Sequence, residues 1–190
     1  MRLIVVDGLD GAGKDTVADM IVEGLSATGH TVSVLSHPTS RPVGVMASNA
    51  LLKRGLLAHV FASLFFGLDI LSSVREIRRE ESDYVVFVRY IMGSAYLPKG
   101  LHTLVHNALG KSMPKAHQML FIDAEPEIAM KRIKERKNGR EMFENLSSLV
   151  AVRRRAFSLV NSDWIVVRNN GSLSELEQNL APYSKTPMEK

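Results

Sequence analysis

The chain has 190 residues, 45% of them hydrophobic, which is within the range of one compact domain and long enough to bury most of its apolar surface. Its 24 Lys and Arg against 20 Asp and Glu leave a net charge of +4; that modest excess suits a phosphate-rich substrate and, with no stretch interleaving aromatic and basic residues, gives no ground to expect a nucleic-acid partner. No Cys is present, so disulfide and thiolate chemistry are excluded, and the first residues read as a strand rather than an export signal, so a cytoplasmic location is expected.

The apolar run at 3–7 predicts the first strand. It leads straight into Gly8-Leu9-Asp10-Gly11-Ala12-Gly13-Lys14, and a helical pattern resumes over 17–25. Strand, glycine loop and helix in that order are the context in which the motif binds phosphate. Gly8, Gly11 and Gly13 allow a tight turn with inward N–H groups, the helix N-terminus adds to that anion site, and Lys14 supplies a point charge for the outer phosphates. A nucleoside triphosphate is the expected ligand.

Further strands are predicted at 31–35, 84–88, 119–123 and 164–167, and helices over 56–79, 127–136 and 144–160. A last helix begins at Ser172-Leu173-Ser174-Glu175, a capping-box pattern. The most apolar stretch, 56–68, is interrupted by His59 and closed by Asp69, too short for a membrane span and suited to a buried helix. Strands alternating with helices predict an α/β fold: three layers, with a parallel sheet of about five strands flanked by helices. The expected domain is 1–182, with 183–190 a tail unable to pack. Ligands in such sheets sit outside the carboxyl ends of the strands, which nominates the glycine loop and residues 36–41, 89–94, 124–126 and 168–170.

Lys131, Arg132, Lys134, Arg136, Lys137 and Arg140 form a basic segment around the Asn138-Gly139 turn. It reads either as a lid near 136–144 that closes over phosphates, or as a solvated face balanced by Glu135, Glu141 and Glu144. Arg153, Arg154 and Arg155 are consecutive on a helix and cannot share a face, so at most two point at a site. His102 and His106 have the spacing of a metal pair but no third ligand nearby, and a surface helix is the preferred reading.

The ordered set of motifs resembles the thymidylate kinases, nucleoside monophosphate kinases of the P-loop type. Beside the glycine loop it includes His37-Pro38 with Arg41 and Gly44, Phe66-Gly67-Leu68-Asp69, Arg89-Tyr90, Ser94-Ala95-Tyr96, and Phe121 to Ala129 leading to Arg132 and Arg136. The resemblance implies magnesium-dependent transfer of a phosphoryl group from ATP to a nucleoside monophosphate, with dTMP the leading acceptor. ATP would be held by Gly8, Gly11, Ala12, Gly13, Lys14, Asp15, Thr16 and Asn169, and the acceptor by Asp10, Arg41, Phe66, Arg89 and Tyr96. Lys14, Arg89 and the lid arginines Arg136 and Arg140 would be catalytic. The family also implies a homodimer, with the apolar helix 56–71 as its contact face.

Four positions depart from the family pattern: Asp15 replaces a Ser or Thr, Ile70 an Arg, Val88 an Asp and Leu97 a Gln. Asp15 is the expected metal ligand, taking over the anionic role lost at Val88. The changes at 70 and 97 bear on the acceptor. Two alternatives stay open: a kinase for a different small acceptor, and a nucleotide-binding relative that has lost turnover.

Overall fold

The computed structural model describes residues 1–51, 56–77, 79–135 and 145–184. Five runs rich in Val, Ile, Leu and Phe form β1 (Arg2–Gly8), β2 (Val32–Ser36), β3 (Tyr84–Val88), β4 (Gln118–Asp123) and β5 (Trp164–Arg168). They pair in parallel in the order β2-β3-β1-β4-β5, so the glycine loop leaves the central strand. Near-continuous apolar runs are what a strand covered on both faces requires, and every residue of β3 is buried.

Among the described residues seven α-helices cover the sheet: α1 (Lys14–Ala27), α2 (Pro42–Leu51), α3 (Leu56–Ile77), α4 (Leu101–Ser112), α5 (Pro126–Glu135), α6 (Leu146–Leu159) and α7 (Leu173–Ser184). The period of two along each strand divides the core. Ile4, Val6, Val86, Leu120 and Ile122 pack with Val17 and Ile21 of α1 and Leu176 and Leu180 of α7. On the other face Leu3, Val5, Val85, Phe87 and Phe121 pack with Ile70 and Ile77 of α3 and Val152 and Ala156 of α6. No helix among the described residues is long and apolar enough to cross a membrane.

The predicted strands and five predicted helices appear with small shifts at their ends. Helices α2 and α4 and the 3₁₀ helix Met92–Tyr96 are additions; α4 fully buries only His102, and α2 starts on Pro42, a residue suited to the first helical position. The capping box at α7 forms as predicted, with the Ser172 amide donating to Glu175 Oε2 (3.0 Å) and the Glu175 amide to Ser172 Oγ (3.3 Å). Helix α7 runs through Pro182 to Ser184. Tyr183 packs against the core and its carbonyl accepts from Gln118 Nε2 (3.4 Å), so residues 183 and 184 belong to the helix and not to the expected tail.

One buried carboxylate ties the sheet to the loop beyond β3. Asp7 Oδ1 accepts from the Gly8 amide (2.8 Å), and Oδ2 accepts from the amides of Tyr90 (2.9 Å) and Met92 (2.8 Å). Burial holds this carboxyl above the usual carboxylate range, opposed by those amides and by Lys14. Asp7→Ala would leave three buried amides unpaired, and urea unfolding is expected to show a loss on the order of 3 kcal/mol.

Candidate active site

Helix α1 starts at Lys14, with Gly13 as its N-cap in the left-handed region at φ 91°. Gly11 sits at φ 75°, and a Cβ there would collide with the Ala129 carbonyl, while one on Gly13 would collide with the Asn169 side chain. Glycine is therefore required both by the turn and by what packs behind it. Lys14 is only 4% exposed. Its Nζ donates to the Leu9 carbonyl (2.6 Å) and lies 4.0 Å from Asp10 Oδ1. Burial, followed by the nearby charge of Arg89, lowers its pKa to about 8. Gly11, Gly13, Lys14, Asp15, Thr16, Arg89 and Arg132 line a cavity of about 240 Å³.

Arg132 joins this group from α5. Its Nη1 donates to the carbonyls of Asn169 (3.0 Å) and Gly11 (3.5 Å), and its Nη2 to Asn169 Oδ1 (3.3 Å). Asn169 Nδ2 in turn donates to the Ala12 carbonyl (2.8 Å). Both residues thus brace the glycine loop, and Arg132 does so from within the cavity lining. In the sequence Arg132 stands in the basic segment and at the end of the motif from Phe121, without a ligand role of its own; the structure puts it in the cavity lining.

Arg89 follows β3 with φ 62°, its amide donating to the Val6 carbonyl (3.1 Å). Its guanidinium meets both oxygens of Asp15, at 3.1 and 3.3 Å, and Nη1 also reaches Ser36 Oγ at 3.3 Å. Tyr96 hydroxyl donates to Asp10 Oδ2 (2.8 Å) and accepts from the Asp10 amide (2.9 Å), so these two predicted acceptor residues are paired. Phe66 packs its ring against Gly93.

Arg41 lies in a separate polar cluster, outside the lining of the loop cavity. It donates to Glu76 Oε2 (3.0 Å), Thr39 Oγ1 (3.1 Å) and Ser73 Oγ, and lies 3.7 Å from Asp69. Buried Asp69 accepts from the Thr39 amide (2.7 Å) and hydroxyl (2.6 Å). His37 stacks on Phe87 at 4.5 Å and shares a 2.8 Å hydrogen bond with Ser73 Oγ. Its pKa falls to about 4, chiefly through burial.

Ile70, Val88 and Leu97 are all buried apolar side chains. Arg153 clamps Asp123 (2.9 and 2.9 Å) and Glu125 (2.6 and 2.8 Å), and its hydrogen bonds to Asp123 push its pKa upward. Arg155 Nε donates to the Ala95 carbonyl (2.6 Å) and Arg154 is exposed, so two of the three consecutive arginines turn inward. His102 is buried, with Nδ1 accepting from the Gly100 amide (3.1 Å), which corrects the surface-helix reading for this residue. Among the described residues no group of three His, Cys, Asp or Glu could hold a metal. Arg136, Arg140 and the segment 136–144 lie outside the described residues.

A central strand running into a glycine loop, a buried lysine at the start of the next helix, and a parallel sheet on either side define a P-loop kinase fold. The chain belongs to the thymidylate kinase family, whose model matches residues 6–180. It is 34% identical to a probable thymidylate kinase of Pyrobaculum aerophilum over 158 residues, 80% of each chain. It is 32% identical to a probable thymidylate kinase of Archaeoglobus fulgidus over 190 residues, 94% of this chain and 92% of the relative. The thymidylate kinase structure from Candida albicans shares the fold, with a TM-score of 0.72 at 20% identity over 95% of this chain and 89% of that one.

The polar cluster predicts an acid response. Folded His37 stays neutral down to about pH 4, whereas the unfolded chain takes up this proton below 6.5, so stability falls as pH drops from 6.5 toward 4. The slope from this one group is at most about 1.4 kcal/mol per pH unit. His37→Phe keeps a ring against Phe87 and removes the proton site; denaturant unfolding from pH 7 to 5 should show the variant losing less stability than the parent.

Proposed function

We propose that the chain transfers the γ-phosphoryl group of ATP to dTMP, yielding ADP and dTDP. An oxygen of the acceptor phosphate forms the new bond to the γ-phosphorus as the bond to the β-phosphate bridging oxygen breaks. The observation that carries this reading is the buried Lys14 inside the glycine loop of a thymidylate kinase family chain. Such transfer needs positioning and positive charge more than covalent help from the protein. In this reading the loop amides and Thr16 cradle the ATP phosphates, and Lys14 leaves the Leu9 carbonyl for the outer phosphate oxygens. Arg89 and Arg41 serve the acceptor phosphate through their planar forks. Asp10 with Tyr96 takes the sugar side, and Phe66 offers a ring face to the base.

The donor set around the loop suits a hard divalent cation such as magnesium, which takes oxygen ligands. Val88 supplies no side-chain oxygen and both oxygens of Asp7 are occupied by amides, whereas the Asp15 carboxylate, 65% exposed, stands at the mouth of the loop cavity. Bound there, the cation would offset charge on the phosphate oxygens. A second reading, a kinase for another small acceptor, is favoured by the apolar, buried side chains at Ile70 and Leu97.

ADP formation from Mg-ATP against a panel of nucleoside monophosphates separates these readings: turnover confined to dTMP supports the first, and preference for another acceptor the second. Lys14→Ala should lower kcat by about 10²- to 10³-fold, since its charge acts on the transferring group; near-normal turnover of a folded variant would overturn the mechanism. Arg89→Ala should raise the KM for the acceptor far more than it weakens ATP binding in titration calorimetry.

A further inference from the structure

The carboxylates around the glycine loop differ in how firmly they are committed. Asp7 holds three amides, Asp10 holds Tyr96, and Asp123 and Glu125 hold Arg153. Asp15 instead faces a guanidinium that the phosphoryl-transfer reading needs elsewhere. Both its oxygens meet Arg89, at 3.1 and 3.3 Å, across a pair in which the Asp15 side chain is 65% exposed and that of Arg89 25%. The backbone of Arg89 is set by its positive φ and its amide bond to Val6, so what can change is where its side chain goes.

We propose that Asp15 is a positioning residue that holds Arg89 away from the acceptor phosphate until a divalent cation arriving with the nucleotide takes its carboxylate, which makes metal–nucleotide and acceptor bind cooperatively. The inference rests on the proposed phosphoryl transfer to a nucleoside monophosphate. Its physical basis is competition: a bidentate guanidinium occupies the two oxygens a cation would use, and the two positive charges repel when crowded onto one carboxylate. An exposed pair is weak enough to be exchanged in this way, worth at most about fivefold in affinity. Linkage then requires the acceptor to strengthen metal–nucleotide binding by the same factor.

The test is titration calorimetry of dTMP into the full chain carrying a non-hydrolysable ATP analogue, with magnesium or with EDTA, for the parent, Asp15→Asn, Arg89→Ala and the double variant. In the parent, magnesium should tighten dTMP binding. Asp15→Asn should bind dTMP about two- to fivefold more tightly in EDTA and gain less from magnesium. In the Arg89→Ala background Asp15→Asn should change neither value. If Asp15→Asn leaves dTMP affinity in EDTA unchanged, or raises it equally without Arg89, the inference falls.

Should dTMP bind in no state, the acceptor assignment fails, and a second readout decides the ion pair by itself. Phenylglyoxal modification in the nucleotide-free chain, mapped by peptide mass with exposed Arg154 as internal standard, should be faster at Arg89 in Asp15→Asn than in the parent. Equal rates would overturn the pairing and with it the proposal.

Discussion

The glycine loop keeps its shape because the charges around it are spent in fixed directions, and Asp7 is the centre of that arrangement. Its carboxylate, buried at the end of the middle strand, accepts the amides of Gly8, Tyr90 and Met92. One side chain thereby fixes the first turn of the loop and the backbone that carries Arg89 and the 3₁₀ helix. An apolar residue of similar size could fill the space and would leave those amides unpaired in a medium that cannot solvate them. The site therefore rests on an interaction inside the core, beneath the residues that would touch a ligand.

Around that centre, some side chains brace the loop and others bring charge to it. Arg132 and Asn169 donate to the carbonyls of Gly11 and Ala12 and so hold the loop in place. Lys14 and Arg89 face the cavity in front, and the repulsion between them contributes to the lowered pKa of Lys14. Lys14 donates to the Leu9 carbonyl and Arg89 to Asp15. For Lys14 an anionic oxygen would be a stronger acceptor than the neutral Leu9 carbonyl. Two cations lining one cavity give it the charge that an anion requires.

The departures from the family pattern acquire a physical meaning in this setting. Val88 and Ile70 are buried among the apolar side chains of the two faces of the core, where a charged side chain would have to be paired. Asp15, by contrast, lies on the surface of the first helical turn, beside a cation it can hold. A carboxylate at a helix N-terminus is also favoured by the helix dipole. The charge missing at the end of β3 and the charge added at the start of α1 thus occupy neighbouring elements of one site.

The sheet was legible in the sequence because a strand buried on both faces leaves a continuous apolar run, as at residues 84–88, and the glycine loop because its chemistry is compressed into seven consecutive residues. The helices with a long apolar stripe were legible for the same local reason, while α2 and the 3₁₀ helix are short and α4 fully buries only His102, so it shows no apolar stripe. The candidate site was legible only in part. Lys14, Asp15, Thr16 and Arg89 do line one cavity, but the partners that give them direction lie far off in the chain: Asp15 is 74 residues from Arg89, Asp10 is 86 from Tyr96, and Arg132 is 37 from Asn169. By itself the sequence determined the strand order of appearance, the phosphate loop and the family. Only the tertiary structure decided which charges are spent on each other and which remain for a ligand, because sheet register brings the strand ends together and no local pattern encodes that distance.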